Sequence, residues 1–159
     1  MPDYDEIYHH HAGQYDRLIA REDYQHNLFR TINQITSLNG LDVVEFGAGT
    51  GRLTCMLAPV VKSIRAFDSS RHMLEKAVEK LEKLGLENWR VEEGDHRKVG
   101  ANDGCADIAI SGWSICYLVI GNEKIWQEEL GKGLKEMQRP LPPGPCRIGR
   151  GSQPEQEPE

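Results

Sequence analysis

A strand-like run that leads directly into three alternate glycines is the feature that most restricts how this chain can fold. Residues 41–46 are short and rich in β-favouring side chains, and Gly47, Gly49 and Gly51 follow before a helical pattern begins at Arg52. Glycine adopts backbone conformations that other residues avoid, and a Cβ at Gly47 or Gly49 would occupy space that a bound molecule needs. The segment therefore predicts a strand, a tight ligand-binding turn and a helix in succession.

Strand and helix patterns alternate along the rest of the chain. Short apolar runs predict further strands over residues 63–67, 89–93 and 107–111. Apolar residues at helical spacing predict helices over residues 24–35, 52–60, 73–84 and 125–137. Strands joined by helices of this length form a parallel sheet with right-handed crossovers. We therefore predict a doubly wound α/β fold with four strands.

Length and composition predict one folded domain with a different C-terminal segment. The chain has 159 residues, close to the size of a single domain. Residues 140–159 contain six prolines and three glycines, a composition that buries little apolar surface and predicts a disordered tail. The predicted domain covers residues 1–139, with N-terminal helices in 1–39 and the sheet core in 40–139.

Charge and cysteine usage restrict the partners and the compartment. A net charge of -6 argues against binding to a nucleic-acid backbone or to an anionic membrane surface. No apolar run approaches the roughly 18 residues of a membrane-spanning helix. The four cysteines have no Cys-x-x-Cys spacing, and the N-terminus lacks the pattern of a signal peptide. We expect reduced thiols in a cytoplasmic protein whose substrate is a small molecule.

Residues around the glycine turn indicate the type of ligand. Asp68 ends the second predicted strand, 21 residues after Gly47, where a carboxylate can accept both hydroxyls of a ribose. The dinucleotide fingerprint needs a glycine where this chain has Arg52. Glu45 adds a second carboxylate, which would repel a pyrophosphate and help to hold an amino group. The pattern favours a cationic or zwitterionic ligand, and an NAD-dependent oxidoreductase is the less favoured alternative.

At these positions the sequence resembles the class I S-adenosylmethionine-dependent methyltransferases. Residues 45–51 resemble the first motif of that family, acidic-x-Gly-x-Gly-x-Gly, and residues 139–144 resemble its Arg-x-Leu-x-Pro-Gly turn. The resemblance implies a Rossmann-like fold with S-adenosylmethionine as cofactor, Asp68 on the ribose and Asp95 on the adenine amino group. The cofactor-binding residues that it implies are Tyr15, Glu45, Gly47, Ala48, Gly49, Gly51, Asp68, Ser69, Asp95, His96, Ser111 and Trp113.

Aromatic and histidine residues each leave two interpretations open. Tyr15 lies in a segment that covers the cofactor pocket in the family, and Trp113 follows the fourth strand, where an indole face can meet a sulfonium. Simple packing is the alternative for both side chains. A metal site at His9, His10 and His11 is disfavoured, because consecutive histidines on a helix point in different directions. We therefore predict no metal.

The resemblance implies methyl transfer to an acceptor that the sequence does not identify. The segment Ser-Gly-Trp-Ser at 111–114 differs from the pattern of enzymes that methylate the amines of nucleic-acid bases, which favours a small-molecule acceptor. A general base is needed only for a protonated nucleophile, and His96 and His11 are the available imidazoles. No catalytic residue is assigned.

The C-terminal segment departs from the family pattern. The family continues into a fifth strand and an antiparallel pair, whereas residues 145–150 have no strand pattern. We expect a C-terminally incomplete fold in which the fourth strand is an edge, open to pairing with a second copy or a partner chain. The alternative to an active enzyme is a non-catalytic or truncated module that binds the cofactor or a partner chain.

Overall fold

Four parallel strands form the centre of the fold. In the computed structural model, which describes residues 11–23, 25–120 and 124–143, they are β1 (Asp42–Phe46), β2 (Ser63–Asp68), β3 (Trp89–Glu93) and β4 (Ile108–Ser111). The helices of these residues are α1 (Ala12–Ile19), α2 (Asn27–Ile35), α3 (Arg52–Leu57), α4 (Arg71–Lys83) and α5 (Trp126–Gln138), with a 3-10 turn at Ile115–Leu118.

The strand order creates a crevice at one end of the sheet. The order is β3-β2-β1-β4, so the chain moves outward from β1 to β3 and then crosses to the other side of β1. Ligands bind such sheets where the order reverses, beyond the carboxyl ends of the strands. Phe46 is level with Phe67 on one side and with Ser111 on the other. The predicted doubly wound α/β fold with a four-stranded parallel sheet is confirmed.

Alternate residues of the strands pack on opposite faces of the sheet. Val43 and Ile64 face one side, where they pack with Leu57 of α3 and Leu81 of α4. Val44, Phe46 and Phe67 face the other side, where Met137 of α5 packs against them. Both faces of the sheet are therefore covered by helices, as expected for a doubly wound fold.

Side-chain hydrogen bonds fix the first residues of α4 and α2. Ser70 caps α4, because its Oγ accepts a hydrogen bond from Met73 N, and Gly85 follows the helix with a φ of +65°. The α2 helix begins at Asn27, three residues later than predicted, and the Asp23 carboxylate accepts from Asn27 N at 2.8 Å. The α3 helix is shorter than the predicted 52–60, because the chain turns before Pro59.

The predicted tail overlaps the folded part at its first residues. Pro140 is buried, and its carbonyl accepts a hydrogen bond from Ala106 N. The family-like segment 139–144 is thus anchored at its start, whereas residues 144–159 lie outside the described residues. The boundary at 139 and the order of the tail remain predictions. In the described parts of the chain, no helix is both long and apolar enough to cross a membrane.

Candidate functional site

A cavity of about 320 Å³ opens at the carboxyl ends of β1, β2 and β4. The glycine turn after β1, helix α1 and the loop after β4 all contribute residues to its walls. Its lining consists of Tyr15, Ile19, Glu45, Gly47, Ala48, Gly49, Thr50, Arg52, Leu53, Asp68, Ser69, Ser70, His96, Gly112, Trp113, Ser114 and Tyr117. The volume is within the range of small-molecule sites.

The Asp68 carboxylate holds the glycine turn against the end of β2. Its Oδ2 accepts a hydrogen bond from Gly49 N and its Oδ1 accepts one from Ser70 N, each at 2.8 Å. Burial raises the pKa of Asp68, while these backbone N–H groups act in the opposite direction. Each carboxylate oxygen has a second acceptor position, so the group can also receive hydroxyls from the cavity.

Below the turn, the Ser114 hydroxyl joins three elements. It donates to the Phe46 carbonyl at 2.8 Å, and Ser111 Oγ and His96 Nε2 lie 2.7 and 2.9 Å from the same oxygen. Because a hydroxyl has one proton, the Ser114 oxygen accepts from the other two groups, and Nε2 of His96 is the protonated nitrogen. Burial lowers the pKa of His96 and favours its neutral form.

Gly47 is required by protein packing, which corrects our interpretation of this glycine. A Cβ at position 47 would lie 2.1 Å from both Cβ and Oγ of Ser114. At Gly49, by contrast, a Cβ would meet no atom within 4 Å, and this glycine does border open space in the cavity. Only Gly49 fits the expectation that a side chain would intrude on the ligand.

Glu45 is a buried carboxyl group at the base of the cavity. Its side chain is 1% exposed, and Oε2 accepts a hydrogen bond from Thr54 Oγ1 at 2.7 Å. Burial raises the pKa of Glu45 to about 7, and the nearby Asp68 carboxylate adds to the increase. A cationic group in the cavity would favour the ionised form of Glu45.

The raised pKa of Glu45 predicts a stability that falls with pH. Between its ordinary pKa of 4.5 and about 7, the folded state keeps a proton that the unfolded state has released, so stability decreases as pH rises through this window. We expect wild type to lose about 2–3 kcal/mol of unfolding free energy relative to Glu45→Gln between pH 5 and pH 8. Urea unfolding of both proteins at the two pH values measures this difference, and parallel pH profiles would contradict it.

Polar contacts join helix α1 and the residues after it to the glycine turn, to α4 and to Arg52. Asp16 Oδ1 accepts from Thr50 Oγ1 in the glycine turn and from Lys80 Nζ on α4, each at 2.7 Å. Farther along, Arg52 Nη1 donates to Glu22 Oε2 at 2.9 Å and to the Ile19 carbonyl. These contacts hold the N-terminal segment over the cavity.

Most of the predicted site residues meet at this cavity. Tyr15, Glu45, Gly47, Ala48, Gly49, Asp68, Ser69, His96 and Trp113 line it. The Trp113 side chain is 62% exposed and its φ is +60°, so the core-packing interpretation of this residue is wrong. Tyr15 is half-buried in the wall formed by α1. Their contacts with a ligand remain predictions.

Three predicted site residues lie outside the cavity lining. A Cβ at Gly51 would lie 2.7 Å from Ala77 Cβ, so this glycine allows α3 to pack on α4. Asp95 forms two hydrogen bonds with the Arg97 side chain, which lowers its pKa to about 2. Ser111 does not line the cavity, but its Oγ forms a hydrogen bond with the Oγ of Ser114, which does. For these residues the structure supplies a packing or positioning role.

Several lining residues were missed by the sequence analysis. Ser114 and Tyr117 belong to the loop after β4, and Thr50 and Arg52 flank the last glycine of the turn. Their position beside recognised motifs was an available signal, but only the folded chain brings the two loops together. Among the described residues, no group of three or more potential metal ligands lies together, and His9 and His10 are outside those residues.

Comparison with known proteins supports the family resemblance that the sequence motifs indicate. A sequence profile described as a methyltransferase domain matches residues 43–144. An uncharacterized methyltransferase of Bacillus licheniformis is 27% identical over 133 residues, which make up 80% of this chain and 61% of that protein. The chain therefore spans less than two thirds of this curated relative.

Solved structures share the fold. Phosphoethanolamine N-methyltransferase 1 of Haemonchus contortus, in complex with phosphoethanolamine and S-adenosylhomocysteine, has a TM-score of 0.56 and 26% identity over 65% of this chain and 20% of that chain. A methyltransferase from Aquifex aeolicus has a TM-score of 0.60 and 21% identity over 89% of this chain and 63% of that chain. With residues 43–144 matching the methyltransferase domain, the chain belongs to the class I S-adenosylmethionine-dependent methyltransferases.

Proposed function

We propose that this protein transfers a methyl group from S-adenosylmethionine to a small-molecule acceptor. The observation that carries the proposal is the meeting of an open glycine turn, the Asp68 carboxylate and the buried Glu45 carboxyl in one cavity. This set of groups fits a ligand that has ribose hydroxyls and positive charge. It fits a pyrophosphate poorly, because two carboxylates would repel it.

Different residues of the cavity bind different parts of the cofactor. Asp68 accepts the ribose hydroxyls through its remaining acceptor positions, and the backbone of Gly47 and Gly49 adjoins the thioether and amino-acid part. Ionised Glu45 attracts the ammonium group. Ser69, Asp95 and His96 belong to the adenosine side, where Asp95 Oδ2 accepts one hydrogen bond from Arg97 and keeps a second acceptor position for the adenine amino group.

The cofactor supplies a methyl group activated by a positively charged sulfur. The protein orients the acceptor for in-line attack and keeps water out, and orientation alone contributes several kcal/mol to lowering such a barrier. Helix α1 and Trp113 both line the cavity, and Trp113 is 62% exposed although the Arg52 guanidinium lies over its ring. No side chain is assigned as general base.

A small acceptor agrees with the net charge of the molecule. The net charge of -6 disfavours nucleic acids and anionic membranes. Phosphoethanolamine, bound by the Haemonchus contortus enzyme, is one acceptor to include in a screen. We infer a cytoplasmic location from the free thiols of Cys55, Cys105 and Cys116.

Calorimetric titration with S-adenosylhomocysteine, S-adenosylmethionine and NAD tests the proposal. We expect micromolar dissociation constants for the first two ligands, within the range of about 1 μM to 1 mM common for enzyme substrates, and no heat with NAD. Tight NAD binding without a response to S-adenosylhomocysteine would favour an oxidoreductase instead. Binding without transfer to any acceptor in the screen would indicate a non-catalytic module.

Association through β4 is a separate part of the proposal. In the described residues β4 pairs with β1 alone and forms one edge of the sheet. An open edge strand pairs readily with another strand, so we infer that a second copy or a partner chain covers it. Size-exclusion chromatography with light scattering measures this association, and a monomer at high concentration would exclude self-pairing.

A further inference from the structure

We propose that Arg52 binds the carboxylate of the cofactor's amino-acid end, an inference that rests on the function proposed above. The residue follows the glycine turn directly and lines the cavity. Neither the glycine motif nor the acidic residues explain how a cavity with two carboxyl groups accepts a ligand that has a carboxylate of its own. Arg52 supplies the missing charge.

The charges of the cavity lining are unequal. Glu45 and Asp68 carry carboxyl groups, and both are buried. Of the described residues that line the cavity, Arg52 is the single one with a permanently cationic side chain. A ligand carboxylate is repelled near the two acids and attracted near the guanidinium. The charge distribution therefore orients a zwitterionic amino-acid group with its carboxylate toward Arg52 and its ammonium toward Glu45.

The guanidinium of Arg52 is fixed in place but only partly used by the protein. Nη1 donates to Glu22 Oε2 and to the Ile19 carbonyl, and the guanidinium carbon lies 4.4 Å from the centre of the Trp113 ring. The side chain is only 17% exposed. Within the described part of the chain, Nε and Nη2 have no hydrogen-bond acceptor. Three of the five N–H groups of a guanidinium are therefore available.

The available N–H groups are not completely buried. The described residues contain one sealed side-chain polar atom without a partner, Asn88 Oδ1, so Nε and Nη2 of Arg52 are not sealed off. Because Nε and Nη2 carry parallel N–H groups, they match the two oxygens of a carboxylate. A lysine at this position would retain the charge but lose the paired geometry.

Binding at Arg52 would also link the ligand to both walls of the cavity. The same guanidinium contacts the end of α1 through Ile19, the segment that follows it through Glu22, and the loop after β4 through Trp113. A role limited to holding these walls together is the competing explanation. That role predicts equal losses for every ligand, whereas carboxylate binding predicts losses only for ligands that have the carboxylate.

Two ligands separate these explanations: S-adenosylhomocysteine, which has the amino-acid end, and 5′-methylthioadenosine, which lacks it. We expect Arg52→Met to weaken S-adenosylhomocysteine about 10- to 100-fold, as for loss of a charged hydrogen-bond pair, and to leave methylthioadenosine unchanged. Arg52→Lys should lie between wild type and Arg52→Met for the first ligand. Calorimetric titration of the full chain gives all of these dissociation constants.

Two further variants serve as controls. Arg71→Met removes an arginine whose side chain is 83% exposed outside the cavity, and should change neither affinity. Glu22→Gln removes the ion pair of Arg52 with the N-terminal segment, and should not weaken S-adenosylhomocysteine, because the guanidinium remains. Thermal unfolding followed by circular dichroism verifies that each variant is folded, and Arg52→Lys carries the test if Arg52→Met is unfolded.

Each outcome has a distinct meaning. Equal losses for both ligands in Arg52→Met, or a Glu22→Gln protein that behaves like Arg52→Met, would show that Arg52 only holds the cavity walls. Unchanged affinity for S-adenosylhomocysteine in Arg52→Met would also overturn the inference while leaving the proposed function intact. If wild type binds no S-adenosylhomocysteine, the proposed function and this inference fail together.

Discussion

Replacing Gly47 with alanine should destabilise the fold by about 2–5 kcal/mol and abolish cofactor binding. The added Cβ would lie 2.1 Å from Ser114 Cβ and Oγ, and 2.9 Å from His96 Cε1. The backbone φ of +74° adds strain for any residue with a side chain. Overpacking costs about 1–3 kcal/mol and a left-handed backbone about 1–2 kcal/mol, so the two effects together account for the expected loss.

A control variant at a second glycine separates the cost of backbone strain from the cost of the steric clash. Gly40 has a φ of +75°, and a Cβ there would meet no atom within 4 Å. Gly40→Ala should therefore cost only the strain, about 1–2 kcal/mol. Urea unfolding of the two variants measures the difference, and equal losses would mean that contact with Ser114 is unimportant.

A compensating substitution gives a second test of the same contact. Ser114→Gly removes both atoms that an alanine at position 47 would meet most closely. In that background, the cost of Gly47→Ala should fall toward that of Gly40→Ala, although the contact with His96 remains. The double-mutant cycle reports this coupling directly. Additive losses would contradict the packing explanation.

Asp68→Ala is expected to weaken S-adenosylhomocysteine by about 100-fold or more. Two ribose hydroxyls would each lose a charged acceptor, and such hydrogen bonds contribute about 1.5–3 kcal/mol each. The substitution also leaves Gly49 N and Ser70 N without their acceptors, so the turn loses its anchor to β2. Calorimetric titration measures the dissociation constant, and thermal unfolding monitors the structural cost.

The ligand pair used for Arg52 gives a different expectation for Asp68. Both S-adenosylhomocysteine and methylthioadenosine contain the ribose, so Asp68→Ala should weaken both. As a control, Asp42→Ala removes a carboxylate at the other end of the sheet, where it accepts from Lys62 and Ser63, and should leave both affinities unchanged. An unaltered dissociation constant in Asp68→Ala would refute the placement of the ribose.

Local patterns in the sequence were sufficient to predict the strands and the glycine turn. The alternation of Val43 and Val44 between two apolar faces, and the glycines after Phe46, reflect constraints that act within a few residues. Asp68 could also be identified from the sequence. The carboxyl ends of neighbouring parallel strands lie at the same end of the sheet, so a residue that ends β2 lies beside the turn that follows β1. These features depend on periodicity and chain order.

Contacts between segments that are distant in the sequence could not be predicted from local sequence patterns. The three glycines of the turn look equivalent in the sequence, yet Gly47 packs on Ser114, Gly49 borders the cavity and Gly51 packs on Ala77. Asp95 matched a family position, but its carboxylate pairs with the neighbouring Arg97 guanidinium and lies outside the cavity lining. Which side chain fills the space above a glycine depends on the tertiary arrangement alone.

The sequence by itself determined the order of strands and helices, the turn and the acidic residues beside it, because backbone preference and hydrophobic periodicity are local properties. The tertiary structure alone decided that Arg52 and Trp113 meet, and that Ser114 joins β1, β4 and His96. Such pairs are separated by many residues, and their contact arises only when the sheet order brings the loops after β1 and β4 to one edge.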